Sequence, residues 1–411
     1  MQITEKLRLH AAWKAFLDYK IQQGSMPRDE LEALQSFVEQ KAYSPVVERI
    51  LKEERFSTPE MKELNKLGTG KKRIVFVFPQ EENFVLKVLA FLLRNYEAGF
   101  AGNLYSFRAS RGVKGGIHSI LQAVNMENTY SYKADVHDYF NSIDSVRMIE
   151  ILKEKMPGEE QFITLFDHTL NDPYAFWSGQ MVKARKGVMA GMPVSGFLAN
   201  LYLSNLDEYF EQRDIPYIRY SDDIVVFAQT EDAIHEYETV IKTILAEKGL
   251  TINTKKEIRT VPGEMVEFLG FSFYGHTIDL APVSITKIKG KLHRKARALY
   301  RWKLRKNVPD ACAVRAYIKF LNRKFYDNPI HSEITWARWY FPFLTDDTHL
   351  KEIDDYALSC MRYITTGNYS RKSYSLRYQT IKQLGFQSLV NSYWRFHKGT
   401  YDSIQNESSR L

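Results

Sequence analysis

Two acids stand side by side in Tyr220-Ser221-Asp222-Asp223, flanked by Ile218-Arg219 before and Ile224-Val225-Val226-Phe227 after. A third, Asp135, closes the run Tyr132-Lys133-Ala134 and is followed by Val136-His137-Asp138-Tyr139-Phe140. Carboxylates delivered by separate elements to one point are what two-metal phosphoryl transfer requires, with the ions roughly 3.5–4 Å apart. One ion activates the attacking hydroxyl and the other neutralises the leaving group. Magnesium suits such a pair because it prefers oxygen ligands and shares its shell with phosphates; manganese is the expected substitute. Aspartate is also common in turns for conformational reasons alone, so the Asp222-Asp223 pair by itself leaves both readings open. Asp135 makes the metal reading concrete, provided its strand lies beside the hairpin. Asp144 is better placed to cap the helix that follows it, and Asp138 to face solvent.

The elements that must carry these residues are readable from periodicity. Residues 1 to 70 read as polar, amphipathic helices, with Leu9, Trp13, Phe16 and Leu17 on one face and Leu31, Leu34, Phe37 and Val38 on another. Pro27 sits where a helix begins, after Gly24 and Ser25. Arg73 to Phe78 is a β-branched and aromatic run closed by Pro79, hence a strand. Phe84 to Phe100 reads as helix, and Gly102 to Gly116 as a glycine- and arginine-rich loop. Tyr132 to Val136 is a strand, Asp144 to Met156 a helix, and Ser195 to Phe210 another helix. Tyr217–Tyr220 and Ile224–Phe227 are short strands around the acids, residues 231–248 are helical, and Met265 to Phe273 returns to strand. This interleaving suits an α+β protein with a split β-α-β unit, an antiparallel sheet backed by helices. After Pro282 the pattern is almost wholly helical.

Apolar residues at 44% and charged residues at 26% fit a globular protein of two or three compact units. No stretch approaches the roughly 20 apolar residues that span a bilayer, and the first twenty residues lack the apolar core of a secretory signal. Cys312 and Cys360 are far apart and form no metal-ligand spacing, so reduced thiols in a cytoplasm are expected. The net charge of +8 is local. Ile285 to Lys306 holds ten Lys or Arg and no acid, and without them 47 basic residues face 49 acidic ones. Ile288, Leu292, Leu299 and Trp302 are the candidate buried positions of this helix. A charge run is often only a solvated face; a stripe this concentrated also gains affinity for a phosphate backbone by releasing counterions. Its candidate contacts are Lys287, Lys289, Lys291, Arg294, Lys295, Arg297, Arg301 and Lys303.

From Arg73 to Phe271 the motifs resemble, in order, those of the reverse transcriptase family. Lys71-Lys72-Arg73-Ile74-Val75-Phe76 resembles the first fingers motif, whose basic residue meets the incoming triphosphate. Ser106-Phe107-Arg108 with Arg111-Gly112 resembles the second, so Arg73 and Arg108 are the implied triphosphate contacts. Asp135 to Phe140 resembles motif A, in which Phe140 takes the bulky position that excludes a ribose 2′-hydroxyl. Gly187-Val188-Met189-Ala190-Gly191-Met192-Pro193-Val194-Ser195, continued by Phe197 to Leu203, resembles motif B. Tyr220 to Asp223 resembles motif C. Gly249-Leu250-Thr251-Ile252-Asn253 with Lys256 resembles motif D, whose lysine is a candidate proton donor to pyrophosphate. Phe268-Leu269-Gly270-Phe271 resembles motif E, the primer grip. The resemblance implies metal ligation by Asp135, the Val136 backbone, Asp222 and Asp223, and nucleotide contacts at Arg73, Arg108, Phe140, Gly191 and Tyr220. It also implies a right-hand polymerase fold: an extension over 1–70, fingers over 71–130, a palm over 131–282, and a basic helical thumb and helical tail over 283–411.

Motif B departs from the Pro-Gln-Gly usual in group II intron and retroviral enzymes, having Met189-Ala190-Gly191. The glycine needed for close backbone approach is kept; the glutamine that lies near the template base is not. Retrons and abortive-infection or unknown-group defence enzymes resemble this chain here. The tail, with Trp336-Ala337-Arg338-Trp339-Tyr340-Phe341, Arg371-Lys372 and Leu384 to Val390, is similar to that of defence-associated members. Tyr374, Tyr378, Tyr393 and Trp394 read either as core aromatics or as stacking platforms for single strands. No Cys/His pattern for a nuclease and no acid series for RNase H follows motif E; Asp346-Asp347 and Asp354-Asp355 read as solvated pairs. The implied activity is RNA-directed synthesis of DNA from dNTPs on a dedicated structured noncoding RNA, in antiphage defence. Three rivals stay open: untemplated DNA synthesis, a catalytically idle RNA-binding scaffold, and, most remotely, a nucleotide cyclase.

Overall fold

The computed structural model describes residues 1–24, 26–65, 72–109, 111–184, 186–326, 335–369 and 376–399. Ser25, Lys71, Arg371, Lys372 and Tyr374 therefore lie outside the described residues. The chain separates into two compact units, Met1–Glu264 and Met265–Leu411. The stretch 131–282 accordingly straddles the division.

Among its described residues the first unit holds two sheets. One runs in the order β2-β1-β4-β5 and the other β6-β7-β3-β8. β1 (Glu60–Asn65) lies antiparallel to β2 (Lys72–Val77), from Glu60 opposite Val77 to Asn65 opposite Lys72. This strand corrects the all-helical reading of residues 1–70. Its sequence is polar, and its pairing comes from a partner strand that is itself mostly exposed. Helices do occupy His10–Gln23, Arg28–Glu39 and Tyr43–Glu53, with Trp13, Phe16, Leu34, Val47 and Ile50 buried. Leu9 precedes the first of these and is 44% exposed, so it does not join their apolar face. β4 (Tyr174–Trp177) and β5 (Gln180–Lys183) complete that sheet through a turn at Ser178-Gly179.

The second sheet is formed by β3 (Tyr130–Asp135), β6 (Tyr217–Tyr220), β7 (Asp223–Ala228) and β8 (Ile258–Thr260). β3 and β7 are antiparallel central strands, buried at nearly every position because helices cover the sheet. Two expected elements come out differently. The helix expected over 195–210 is two helices, Ser195–Tyr202 and Ser204–Glu211, broken where Leu203 leaves helical backbone angles. The expected loop 102–116 ends early in a helix, Val113–Ala123. Its Gly115 lies against the Tyr105 ring, where a Cβ would sit 3.2 Å away, so the glycine serves close packing rather than a turn.

In the second unit, β9 (Val266–Phe268), β10 (Phe271–Tyr274) and β11 (Thr277–Leu280) form a meander. The single strand expected over 265–273 is thus a hairpin. Its two turn residues, Leu269 and Gly270, both have positive φ (50° and 91°), the combination a tight two-residue turn demands. The basic helix Pro282–Lys306 follows, buried along Ile285, Ile288, Leu292, Ala296, Leu299 and Lys303. Trp302 is 36% exposed, correcting the expectation that it is buried. At about 100° per residue it lies roughly 80° off the centre of that stripe. Asp354 is also corrected. It is buried on the helix Thr348–Thr366 and accepts bonds from the backbone of Leu389 (2.9 Å) and Val390 (3.2 Å), capping the helix Leu389–His397.

Candidate active site

β3 and β7 meet in a register that sets Asp135 opposite Asp223. β6 and β7 close with Tyr220 opposite Asp223, leaving Ser221 and Asp222 as the tip of the hairpin. The Val136 amide donates to the Asp222 carbonyl at 2.9 Å, so the tip is tied directly to the end of β3. All three acids therefore converge at one end of the central strands.

The tip is shaped by a buried polar network that sequence reading did not assign. Ser221 has φ of +62°, a conformation that costs an L-residue roughly 1–2 kcal/mol. Its amide donates to Ser106 Oγ at 2.9 Å, and its carbonyl accepts from Arg219 at 3.3 Å. Ser106 Oγ in turn donates to Asn200 Oδ1 at 3.0 Å, and Asn200 returns a bond to the Ser106 carbonyl at 2.7 Å. Arg219 is wholly buried and forks onto Asp207, Nε to Oδ1 at 2.8 Å and NH2 to Oδ2 at 2.5 Å. Asp207 also accepts from the Tyr217 hydroxyl at 3.0 Å. Arg219 sits inside a strand whose neighbours are apolar; the one available signal is an arginine where the alternation demands a buried side chain.

Motif D reaches the same end. Asn253 donates its amide to the Asp135 carbonyl at 2.8 Å and its side chain to Asp135 Oδ1 at 3.2 Å. The Lys256 ammonium is ion-paired with the Asp135 carboxylate. Burial would lower the lysine, but its bond to Asp135 and the nearby acids outweigh that and raise it. Asp222 is raised by burial and then by Asp135, with Lys256 and Arg73 opposing. Asp223 is pushed up to about 6, by burial first and then by Asp222. The centre is short of positive charge, which is where a divalent cation is favoured. Among the described residues, no three His, Cys, Asp or Glu side chains are grouped so as to hold a metal ion. The donor chemistry nonetheless fits: hard carboxylate oxygens suit magnesium.

Of the expected nucleotide contacts, Arg73 lies exposed on β2, near enough to lower Asp222. Phe140 is half-buried, edge-on to Phe107 with ring centres 5.9 Å apart. The motif B loop packs against it: the Val188 amide donates to the Phe140 carbonyl at 2.9 Å. A Cβ on Gly187 would fall 2.1 Å from that same oxygen. Gly191 has φ of +101° and lies against β2, where the Phe76 amide donates to the Ala190 carbonyl at 2.8 Å. Tyr220 is half-buried, with its hydroxyl raised by burial. Arg108 is turned to another task, donating to the carbonyls of Ala101 (2.7 Å), Leu104 (3.3 Å) and Glu97 (2.8 Å). It organises the loop that carries Ser106.

In the second unit the basic helix divides its cations. Lys287, Arg294, Arg297 and Arg301 are exposed on the side away from the buried stripe. Lys289 pairs with Glu352, and Lys295 lies over the Phe320 ring at 5.5 Å. Lys291 is half-buried, lowered by burial and by Lys324, Arg294 and Lys287. Lys303 is buried, donating to Asp310 at 2.8 Å and to the Thr365 carbonyl at 2.7 Å, so it leaves the set of surface contacts. Tyr393 is buried, while Tyr378 and Trp394 are exposed.

Residues 63–273 match the family model described as reverse transcriptase (RNA-dependent DNA polymerase). An uncharacterized 91 kDa protein in the cob intron of Schizosaccharomyces pombe is 30% identical over 164 residues, 39% of this chain and 20% of that protein. The retron Ec86 reverse transcriptase of Escherichia coli is 29% identical over 107 residues, 25% of this chain and 33% of that enzyme. The chain thus spans between a fifth and a third of the curated relatives it matches. Among solved structures, apo telomerase from Candida tropicalis aligns with a TM-score of 0.46 at 12% identity, covering 80% of this chain and 69% of that one. Telomerase from Candida albicans with a fragment of telomeric RNA gives 0.46 at 11% identity, covering 86% and 69%.

Proposed function

The chain belongs to the reverse transcriptase family, and from that premise we propose that it is an RNA-directed DNA polymerase. The observation that carries the reading is the register of β3 on β7, which brings Asp135 to Asp222 and Asp223. Asp135, the Val136 carbonyl and Asp222 would hold divalent ions, with Asp223 supporting. When bound, these ions would activate the primer hydroxyl and neutralise pyrophosphate. Arg73 would meet the triphosphate, where fixed positive charge stabilises the charge that develops in transfer. Phe140, held rigid by the motif B loop behind it, would bar a 2′-hydroxyl. Lys256 would leave Asp135 to donate a proton to pyrophosphate. The exposed arginines of Pro282–Lys306 would grip the template–primer duplex by its shape.

Residues 71–130 would act as fingers, 131–282 as palm and 283–411 as thumb and tail. A dedicated structured noncoding RNA is the proposed template, and antiphage defence in the cytoplasm the proposed setting. Similarity to a retron enzyme supports both. Among the described residues no helix is long and apolar enough to cross a membrane. A second reading, untemplated DNA synthesis, is favoured by one observation: Ala190 stands where the family usually has glutamine, so no amide is offered near the template base.

The test is primer extension on RNA with the purified protein, together with sequencing of the RNA and DNA that copurify with it. Asp222→Ala with Asp223→Ala should abolish synthesis; full activity in that double variant would sink the assignment. One abundant RNA with complementary DNA supports templated copying. DNA of random or single-base sequence supports the untemplated reading.

A further inference from the structure

Away from the carboxylates, a cavity of about 530 Å³ opens among the helices His10–Gln23 and Gln80–Leu92 and the turn Leu93–Gly99. Its walls include Tyr19, Lys20, Lys87, Phe91, Arg94 and Phe107. The Tyr19 and Phe91 rings lie 5.2 Å apart, and the Arg94 guanidinium stands 4.5 Å from the centre of one and 5.5 Å from the centre of the other. Lys20 Nζ lies 5.2 Å from the Tyr19 ring. Both acids that line the cavity are engaged: Glu30 pairs with Lys87, and Glu97 accepts the Ala109 amide at 2.8 Å. Lys20 Nζ donates to Gln23 Oε1 at 2.9 Å, and among the described residues neither Lys20 nor Arg94 has a carboxylate partner. Burial and then the charges of Lys87 and Arg94 lower Lys20, with Glu30 opposing. At the mouth, the Phe107 ring is 54% exposed.

Aromatic rings and cations packed together can serve only to hold helices. Such glue, however, does not need an open cavity with two cations that no carboxylate neutralises. Rings beside a planar guanidinium offer stacking surface to a base, and cations without a carboxylate partner offer charge to a phosphate. The volume lies in the range of ligand pockets. We infer that this cleft is a second nucleotide-binding site, accepting one base with its phosphate, held by Lys20 and Arg94 against Tyr19, Phe91 and Phe107. The ligand is either a free nucleoside triphosphate or one unit of a single strand. The site contains none of the carboxylates and goes beyond the polymerase reading, although its Phe107 also faces Phe140.

The experiment is photo-crosslinking of the full chain with two probes, 8-azido-ATP and an oligouridylate carrying 5-iodouridine, followed by mass mapping. Adducts are expected on residues 16–27 or 87–107. An adduct from the azido probe identifies a free nucleotide as ligand, and one from the oligonucleotide alone identifies a strand. Lys20→Gln with Arg94→Gln should lower adduct yield there about tenfold or more, and Lys20→Arg should retain it. The Asp222→Ala, Asp223→Ala variant should keep these adducts while losing synthesis, which separates this site from the polymerase reading. Adducts confined to other peptides in the wild-type chain, or yields unchanged in a folded double variant, overturn the inference.

Discussion

Arg219 donates through two nitrogens to both carboxylate oxygens of Asp207, and both side chains are at most 1% exposed. The pair carries the carbonyl of Ser221 and the backbone of Asn200, so it sets the shape of the turn that presents Asp222. Breaking one half strands the other as a buried charge, a loss of about 3–5 kcal/mol. Asp207→Asn or Arg219→Met should lower stability by that order in urea unfolding. Replacing both with apolar residues should cost less. In either case synthesis should fall further than stability explains, because the turn is no longer held.

The pH dependence follows from Asp223, raised to about 6 from 3.8. A carboxyl whose folded value is raised keeps its proton in the native state after the unfolded chain has shed it. The stability of chelator-treated protein should therefore fall as pH rises from about 4 to 6. Asp223→Asn removes the penalty and should be more stable at pH 7 by on the order of 2–3 kcal/mol, with no gain below pH 4. Magnesium should narrow the gap by stabilising the wild type alone. Thermal melts across pH, with and without the ion, check both signs.

Gly187 tests the seat behind Phe140. Gly187→Ala puts a Cβ 2.1 Å from the Phe140 carbonyl at a φ of +52°, so backbone must move. Soluble yield and synthesis should both collapse. Gly112→Ala meets nothing within 4 Å and should stay within about 0.5 kcal/mol of the parent.

Phe140→Ala should admit ribonucleotides. The expected readout is a roughly 10- to 200-fold fall in the preference for dNTP over rNTP, with dNTP incorporation largely kept. Unchanged preference would remove Phe140 from the nucleotide site.

The basic helix makes opposite predictions for two kinds of cation. Arg294→Gln with Arg301→Gln should reduce the slope of log affinity against log salt by about two, with no change in melting temperature. Lys303→Met should leave the slope alone and cost about 1–3 kcal/mol of stability, since Asp310 and the Thr365 carbonyl lose their donor.

The acids were legible because they stand at the end of one short strand and in the turn between two others, a local pattern that survives without knowledge of the partner strand. The helix after Asp144 was legible for the same reason: the aspartate accepts the Arg147 amide at 3.0 Å, a bond spanning three residues. What sequence hid depends on distance along the chain. β1 becomes a strand through β2, and its own residues say nothing of it. Asp354 looks like half of a solvated acid pair until the helix start at Leu389 arrives 35 residues later. Arg219 reads as a flank of the motif, because the counter-ion that permits its burial sits on a helix. Within Pro282–Lys306 a periodic stripe was expected, but size misled: alanine and a lysine stem fill positions 296 and 303, while the larger Trp302 lies outside.

The strand pairing that joins Asp135 to Asp223 also sets how the length of this chain can drift. Side chains alternate between faces along a strand. One residue gained or lost within Tyr130–Asp135 would therefore turn Asp135 away from its partners, while the strand could still pair. Deletions and insertions should be tolerated at Ser178-Gly179, where a turn joins two strands far from the acids in sequence. They should be absent from 130–136 and 219–228, even where individual residues vary. In a library of single-codon indels scored for synthesis, these two segments should appear as silent intervals of fixed length.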